Sequence, residues 1–496
     1  TADFLSSFAE SASDKKLTYT ANTLYYFDLY DYLLKINNSV FAYDVSLMIS
    51  CLQGLVNRDE QRLFIKFTGS TNLACDVDNF WLEYLTKDGQ LLSNKNIIKV
   101  ETPSALLRIF ENYYNGFVKW DNKVPATENA ACTVCGVESL LPIRFYTQTG
   151  SLYKLLTSKY GILIKMDLTD KFKDKQSGIL EVLDVSFTSA GSAKNDTYLW
   201  AKTKYLDKGL TSSSIIAYHL DAYTWDKTGL TTSYNNILQC MIANKDYYIA
   251  NKCFFVDLMP YDNYLPNDDI QQTMGTDYNT LTSIFAVQNS LANGNIFSLG
   301  GFLPWWIKYT SKVNSSLPID TVSEWMFVDI LGKYYAVKDA DAYGYTSLAN
   351  ASVYCKTKQP KEGYKQKADY SEDAIAQRAA KYIDINGNVK ANNYIMIYMG
   401  DYDAGAWISM AMISNFSDSR LGAYPLAWPI NPTGLKRVPM AANFMYENAT
   451  ENDYFIGDHN GYGYTELMNI GTDSNLKGTL KDYFDLSKHY WDFYDL

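Results

Sequence analysis

The first half of the chain alternates short apolar runs with stretches whose apolar residues recur every three or four positions. Tyr43 to Asn57 has the period of a helix with one apolar face, and "RLFIKF" follows it as a strand. Asp76 or Asp78 can cap the next helix, "IIKV" follows as a strand, and Pro103 is typical of a helix start. "GFVKW", "LLPIRF" and "GILIKM" are further strand candidates, separated by helical patterns. This alternation predicts an α/β fold with mostly parallel, covered sheets.

The second half resumes the alternation after a polar stretch between roughly Asp170 and Ser214. Helical patterns lead into the strand candidates "KCFFVDL" and "NIFSLGG", and "NYIMIYMGDYD", "YPLAWPINP" and "DYFIGDHNG" come later. Several βα units within about 250 residues predict a carboxyl-terminal (β/α)-barrel-like domain.

The length of 496 residues predicts more than one domain, because a single core stops growing near ~250–300 residues. We expect an amino-terminal α/β region at 1–240, with subdomains at about 20–95, 96–165 and 166–240, and the barrel-like domain at 241–496.

Charge and composition exclude several classes of partner. The net charge is -11 and no Lys/Arg cluster occurs, which argues against nucleic acid and anionic membrane surfaces. No apolar run approaches the ~18 residues of a membrane-spanning helix. The seven cysteines are scattered, and Cys132-x-x-Cys135 has no second pair or His cluster beside it, so buried thiols are favoured over a zinc or redox site. Phosphate loops, nucleophile elbows and zinc helices are missing from the sequence, and we predict no cofactor and no metal.

Aromatic residues are unusually frequent, with 42 Tyr, 23 Phe and 10 Trp. Tyrosine and tryptophan pack an apolar ring while keeping a polar tip hydrated, so ordinary packing explains many of them. A ligand that stacks on rings and binds hydroxyl groups, such as a sugar, is the second explanation. The candidate sugar-binding residues include five tryptophans, Trp305, Trp306, Trp325, Trp407 and Trp428.

Polar residues follow the strand candidates of the second half, where the active site of a barrel would lie. They are Asp257, Asp401 and Asp403, Asn431, Asp458 and His459. Asp401 and Asp403 are the densest pair, because residues i and i+2 of a strand share a face about 6.6 Å apart, within the ~5–9 Å separations of glycosidase carboxylates. The pair could equally hold a divalent cation or cap the helix that follows.

Two further acids are candidates for acid–base chemistry. Glu324 stands beside Trp325, and an acid against a large ring can have a raised pKa, as a general acid requires; a helix-surface Glu is the simpler explanation. Asp257 lies within an apolar run, where a charge needs a partner, so it is either structural or catalytic.

Several stretches together resemble the GxGYxYP glycoside hydrolases, a group known mainly from gut Bacteroidetes and thought to act on polysaccharides outside the cytoplasm. The motifs that carry the resemblance are "LMISCLQGLVNR", "GFVKWDNKVPATENAACTVCGV", "GGFLPWWIKYT", "SEWMFVDILGKYYAVKDADA", "SLANASVY", "YMGDYDAGAW", "YPLAWPINP" and "NDYFIGDHNGYGY". The resemblance covers most of the chain. It implies small amino-terminal α/β domains followed by a barrel-like domain.

The motif that names the family maps onto Gly461, Gly463 and Tyr464, and the sequence departs from it at Glu466 and Leu467, where the family has tyrosine and proline. The glycines suit a tight loop that lets the backbone approach a ligand. The side chains that would then line the pocket are Tyr462, Tyr464 and His459.

We therefore expect a secreted, periplasmic or cell-surface glycoside hydrolase that acts on a poly- or oligosaccharide with Asp401 and Asp403 as its acid–base pair. Glu324, Asp257 or Asp458 could replace either acid. The alternatives are a non-catalytic carbohydrate-binding protein that uses the same aromatic cleft, and a metal-assisted hydrolase with the two aspartates as oxygen ligands. The first residues lack the basic and apolar segments of a signal peptide, which fits a processed or a cytoplasmic protein.

Overall fold

A computed structural model describes residues 3–67, 76–222, 241–301, 324–340, 348–369, 371–400, 405–458 and 461–496. Two three-stranded parallel sheets occupy the amino-terminal part. The first contains β1 (Thr23–Asp28), β2 (Leu63–Lys66) and β3 (Asn96–Val100) in the order β2-β1-β3. The second contains β4 (Gly116–Trp120), β5 (Leu140–Arg144) and β6 (Ile164–Asp167) in the order β5-β4-β6. The predicted parallel α/β architecture is confirmed here.

The helices of this part begin where the sequence signals placed them. Asp76 caps its helix by accepting a hydrogen bond from the N–H of Asn79 at 3.3 Å, and Pro103 is the first residue of the next helix. The helices are α1 (Asp3–Phe8), α2 (Leu29–Leu34), α3 (Ser39–Val56), α4 (Val77–Thr86), α5 (Pro103–Ile109), α6 (Ala126–Glu138) and α7 (Leu152–Leu155).

Helix α3 is the central core element of the amino-terminal part. Every residue from Phe41 to Val56 is buried, so the helix is covered on all sides rather than on the one face that its period predicted. It packs against β5, α6 and a later helix, and 89% of its apolar 18-residue window is buried. An all-round apolar helix belongs either to a membrane or to a core, and this burial places α3 in a core.

The polar stretch after Asp170 forms a hairpin and a helix. β7 (Ile179–Val182) and β8 (Val185–Thr188) pair antiparallel, and the two residues between them have φ of 47° and 62°, as a tight primed hairpin turn requires. Helix α8 (Ala193–Ala201) follows, capped by Ser192.

The central sheet is a parallel sheet of four strands, β9 (Ile215–Tyr218), β10 (Phe254–Val256), β11 (Phe297–Gly301) and β12 (Ala336–Ala340). Its order is β10-β9-β11-β12. The associated helices are α9 (Lys245–Ala250), α10 (Thr276–Ala292) and α11 (Glu324–Lys333). In a barrel each strand pairs with the next one in the chain, whereas here β9 lies between β10 and β11. The described strands thus form an open sheet with a topological switch point, and they do not show the predicted closed barrel.

The carboxyl-terminal part adds the parallel pair β13 (Leu426–Ile430) and β14 (Asp453–Gly457). The strand predicted in "NYIMIYMGDYD" is reduced to one parallel bridge between Tyr398 and Ala427. An antiparallel bridge between Lys338 and Tyr464 joins this part to β12. The remaining helices are α12 (Ala351–Tyr354), α13 (Glu372–Ala379), α14 (Gly405–Phe416), α15 (Pro432–Leu435), α16 (Pro439–Asn448) and α17 (Leu480–Tyr494). The predicted domain boundaries remain predictions, since membership of a sheet does not define an independently folding unit.

Asn350 links the first sheet to the chain that precedes α12, and its side chain is fully buried. Its Oδ1 accepts hydrogen bonds from the Ile65 N–H at 2.8 Å and from Gln53 Nε2 at 2.7 Å. Its Nδ2 donates to the Ile65 carbonyl at 2.7 Å and to Asp78 Oδ1 at 3.2 Å. Both donors and both acceptor positions of the amide are thus used, and no water is needed to satisfy them.

We expect Asn350→Ala to lower the free energy of unfolding by about 3–5 kcal/mol, because several buried polar groups lose their partner at once. Urea denaturation followed by circular dichroism measures the change. Asn392→Ala, at an exposed asparagine, is the matched control and should shift the midpoint little. Equal midpoints for the two variants would contradict the role assigned to Asn350.

Candidate active site

Two acids meet at the carboxyl edge of the central sheet. Asp257 follows β10 and is fully buried. Its Oδ2 accepts a hydrogen bond from the backbone N–H of Asp221, just beyond β9, at 3.2 Å. The backbone N–H of Asp257 donates to the Tyr198 hydroxyl at 3.1 Å. Asp257 therefore fastens the chain that leaves β9, and its carboxylate lies behind the edge rather than on its surface.

His219 follows β9 at the switch point of the sheet and is 3% exposed. Its Nδ1 lies 3.4 Å from the Leu220 carbonyl. Burial, and then the charge of Lys245, lowers the pKa of the imidazole well below its usual value. The ring is therefore neutral at physiological pH.

A buried ion pair joins β12 to the carboxyl-terminal part. Arg437 binds Asp339 through two hydrogen bonds, Nε to Oδ2 at 2.7 Å and Nη2 to Oδ1 at 2.6 Å. Its Nη1 donates to Asn244 Oδ1 at 2.6 Å. A Cβ on Gly405, the first residue of α14, would lie 3.0 Å from Nη2, so the amino end of α14 packs against the guanidinium. Asp339 and Arg437 are 4% and 1% exposed.

Three consecutive buried polar residues, Asn244, Lys245 and Asp246, begin α9. Each contacts a different element. Asn244 has φ 55° and receives the Arg437 hydrogen bond. Lys245 Nζ lies 3.9 Å from Glu128 Oε1 on α6, and Asp246 Oδ2 accepts from the N–H and the hydroxyl of Ser352 at 2.8 and 2.6 Å. The start of α9 therefore connects α6 and α12 to the Asp339–Arg437 pair.

The glycine-rich loop after β14 owes its glycines to close packing. Gly461 has φ 74°, and a Cβ there would lie 2.7 Å from Ser487 Oγ on α17. A Cβ on Gly463 would lie 2.6 Å from Thr433 Oγ1 and 3.0 Å from Val337 Cβ. Side chains are thus excluded at both positions. The loop is held between α17, α15 and β12, and it joins the carboxyl ends of β13 and β14 to β12.

Both tyrosines of this loop are anchored. Tyr462 is 2% exposed, and its hydroxyl accepts a hydrogen bond from Lys436, whose Nζ stands 4.8 Å from the Tyr462 ring centre. Tyr464 is half-buried, and its carbonyl accepts from the Lys338 N–H at 2.7 Å. These contacts hold the described part of the loop in place without a ligand.

The other predicted residues of this part lie at different depths. Asp458 is half-buried beyond β14, where its N–H donates to the Ile430 carbonyl at 3.2 Å. Asn431 is buried and caps α15 by accepting from the Thr433 N–H at 3.0 Å. Trp428 is 3% exposed, and its indole N–H donates to Asp453 Oδ1 at 2.9 Å. Trp407 is half-buried on α14. Trp428 therefore packs in the core, and of these four residues Asp458 and Trp407 retain partial exposure.

Several candidates lie outside the described residues. They are Asp401, Asp403, Trp305, Trp306 and His459. Glu324 and Trp325 begin α11, but their side chains are likewise outside the description. In the part of the chain that the structure describes, no group of three or more His, Cys, Asp or Glu side chains is placed to hold a metal ion.

The sequence predictions missed the ion pair of Asp339 and Arg437 and its acceptor Asn244. A signal was present, because "AVKDA" (336–340) places two charges inside an apolar strand and "LKRV" (435–438) places two in an apolar loop. A buried charge needs a partner of opposite sign, so these two segments could have been paired.

Comparison with known proteins adds a family to this geometry. Three GxGYxYP family models match, the first amino-terminal domain at residues 32–112, the second domain at 114–208 and the "GxGYxYP putative glycoside hydrolase C-terminal domain" at 391–496. Together they span more than half of the chain. Comparison with curated proteins gives no match.

A solved structure shares the fold. It is titled "Crystal structure of a putative hydrolase from Bacteroides thetaiotaomicron VPI-5482 at 1.25 A resolution", with a TM-score of 0.59 and 14% identity over 97% of this chain and 70% of that one. At this identity the likeness concerns the fold alone.

The free energy of unfolding should depend on pH through the carboxyl group of Asp246. Burial raises its pKa to about 7 from 3.8, so the folded protein holds a proton that the unfolded chain releases. The free energy of unfolding should therefore fall as the pH rises from about 4 to about 7. Asp246→Asn keeps the acceptor for Ser352 and cannot ionise. Relative to the wild type, it should gain on the order of 4 kcal/mol between pH 4 and pH 8.

Urea denaturation at a series of pH values measures this difference. Asp492→Asn is the control, because Asp492 is an exposed acid paired with Lys488. Parallel pH profiles for Asp246→Asn and the wild type would show that Asp246 is not the titrating group.

Proposed function

This chain belongs to the GxGYxYP family, and on that premise we propose that it is a glycoside hydrolase that cleaves a poly- or oligosaccharide by carboxylate acid–base catalysis. The observation that carries the proposal is the match of the family's carboxyl-terminal model to residues 391–496. That segment contains Asp401, Asp403 and Asp458 together with the glycine-rich loop. A polymeric substrate also implies that the protein acts outside the cytoplasm.

The arrangement of strand ends supports this assignment. The loop beyond the carboxyl end of β14 is bridged through Tyr464 to Lys338 in the middle of β12, and the Thr433 hydroxyl, just beyond β13, donates to the Tyr462 carbonyl at 2.6 Å. In open α/β sheets, ligands bind outside the carboxyl ends of the strands. The proposal therefore does not depend on a closed barrel.

The candidate acids Asp257 and Asp458 differ in how deeply they are buried. Asp257 is fully buried and fastened to Asp221, so a sugar cannot reach it without opening the sheet edge. Asp458 is half-buried beside the glycine-rich loop, where a substrate could contact it. We assign the acid–base pair to Asp401 and Asp403 and take Asp458, rather than Asp257, as the acid that could replace one of them.

The departure from the family motif at Glu466 and Leu467 favours one alternative. Glu466 Oε1 accepts from the Met468 N–H at 3.1 Å and caps the short helical turn Leu467–Asn469. At this position the chain therefore has a helix-capping carboxylate, and the ligand contact that the motif's second tyrosine would make is missing. A carbohydrate-binding protein without turnover is the second candidate function for this reason.

We expect Asp401→Asn and Asp403→Asn each to lower kcat/KM on a cleavable glycan by roughly 10²–10⁴-fold, the contribution of a general acid or base. Proton NMR of a panel of plant, host and microbial glycans detects turnover as new anomeric signals, and the first anomer formed reports retention or inversion. Asp485→Asn, at an exposed acid on α17, is the control and should retain activity.

Wild-type rates in both Asp401→Asn and Asp403→Asn would exclude the assigned pair. Broadening of glycan signals by the wild type without new anomeric signals would favour the binding protein. Activity that survives prolonged chelation would exclude the metal-assisted alternative.

A further inference from the structure

A run of five large apolar residues, Tyr394 to Tyr398, is exposed to solvent. Ile395 and Met396 are 85% and 84% exposed, and Ile397 and Tyr398 are 53% and 59% exposed. Adjacent residues of an extended chain point to opposite faces, so exposure of consecutive side chains means that neither face is covered. Contiguous exposed apolar surface on a folded protein marks an interaction site.

One edge of this segment is paired and the other is open. The Ile397 carbonyl accepts from the Ala427 N–H at 3.1 Å, and the Met399 N–H donates to the Ala427 carbonyl at 3.0 Å. The backbone groups of Ile397 and Met399 therefore point toward β13, and those of Met396 and Tyr398 point away from it. Within the described residues, the N–H and C=O groups of Met396 and Tyr398 form no hydrogen bond. An edge of this kind is a template for another strand.

The sequence of the segment is its own mirror image, since "YIMIY" reads the same in both directions. In an antiparallel pair related by a two-fold axis through Met396, Tyr394 faces the partner's Tyr398, and Met396 faces the partner's Met396. These are the alternate residues whose backbone groups belong to the open edge, so each facing pair can exchange two N–H···O=C bonds. Ile395 then faces the partner's Ile397 in the closer, non-hydrogen-bonded positions.

We propose that this edge pairs with the same edge of a second copy of this chain and forms a two-fold symmetric dimer. An interface of this symmetry must be complementary to itself, and a palindromic strand meets that condition in both its side chains and its backbone register. A different protein would impose no such condition.

A strand pair alone buries less apolar surface than a stable dimer needs. The segment that precedes the edge, residues 372–389, supplies further exposed apolar side chains. Ile383, Ile385 and Val389 are 38%, 101% and 68% exposed, and α13 has no buried residue. With the five residues of the edge, these side chains could remove roughly 800 Å² per copy from water, about what one partner contributes to a standard interface.

Light scattering after size exclusion tests the association. The wild type should elute with twice the 56.3 kDa mass of the chain at micromolar concentration. Met396→Lys places two like charges opposite each other and should weaken the dimer by at least about 30-fold. Met468→Lys is the matched control, because Met468 is 81% exposed elsewhere on the surface, and it should leave the dimer intact. A wild type that stays monomeric to about 100 μM, well above micromolar Kd values, would overturn the proposal.

Disulfide trapping tests the register. Met396→Cys should cross-link with its own copy, because facing residues there lie about 5.5 Å apart between Cα atoms, within the ~4.4–6.8 Å range of a disulfide. Ile395→Cys alone should not, since equivalent residues would be ~7–8 Å apart, but a mixture of Ile395→Cys and Ile397→Cys should. The wild type controls for the natural cysteines. Association that survives Met396→Lys, or that yields no Met396→Cys cross-link, would place the contact elsewhere and refute the edge pairing.

Discussion

The buried pair of Asp339 and Arg437 is the interaction on which the arrangement of the candidate site depends. It joins the last strand of the central sheet to the loop that follows α15, and Arg437 also reaches Asn244 at the start of α9. Both charges have left water, so the pair is maintained by its two short parallel hydrogen bonds and by the third bond to Asn244. Removing one partner of such a pair costs ~3–5 kcal/mol, because the other charge stays buried. The pair consequently ties the loop after α15 to β12 and to the start of α9.

Close packing fixes the glycine-rich loop on the other side of the site. Its two glycines are required by the approach of Ser487, Thr433 and Val337. They were expected to let backbone approach a ligand, and the structure gives them a packing role that does not need one. Tyr462, between the two glycines, is buried against Lys436, so the loop is packed between β12 and α17. A ligand would contact the outer surface of this loop.

Local patterns predicted much of the secondary structure, and the misses have physical causes. Strands such as β4, β5 and β10 are short apolar runs and were recognisable, as were the helix starts at Asp76 and Pro103. β12 was missed because Lys338 and Asp339 interrupt its apolar pattern, and their partners are far away in sequence. The strand order depends on long-range pairing, which periodicity does not contain, so periodicity alone predicted a barrel-like domain whose closure the described strands do not show. "YIMIY" has the composition of a buried strand, and composition does not say whether another segment covers it.

The polar groups of the site differ in how deeply they are buried, and this difference limits the roles that each can have. His219, Asp257, Asp339 and Arg437 are all buried and engage backbone, ring or ion-pair partners inside the protein. Groups buried in this way are out of reach of a substrate that binds at the surface of the sheet edge. They can, however, hold strand ends fixed, and catalytic groups gain from fixed supports because no reorganisation is needed when charge develops. Under the proposed function, acid–base chemistry at this edge would come from acids that stand in front of the buried layer, and among the described acids Asp458 is half-buried there.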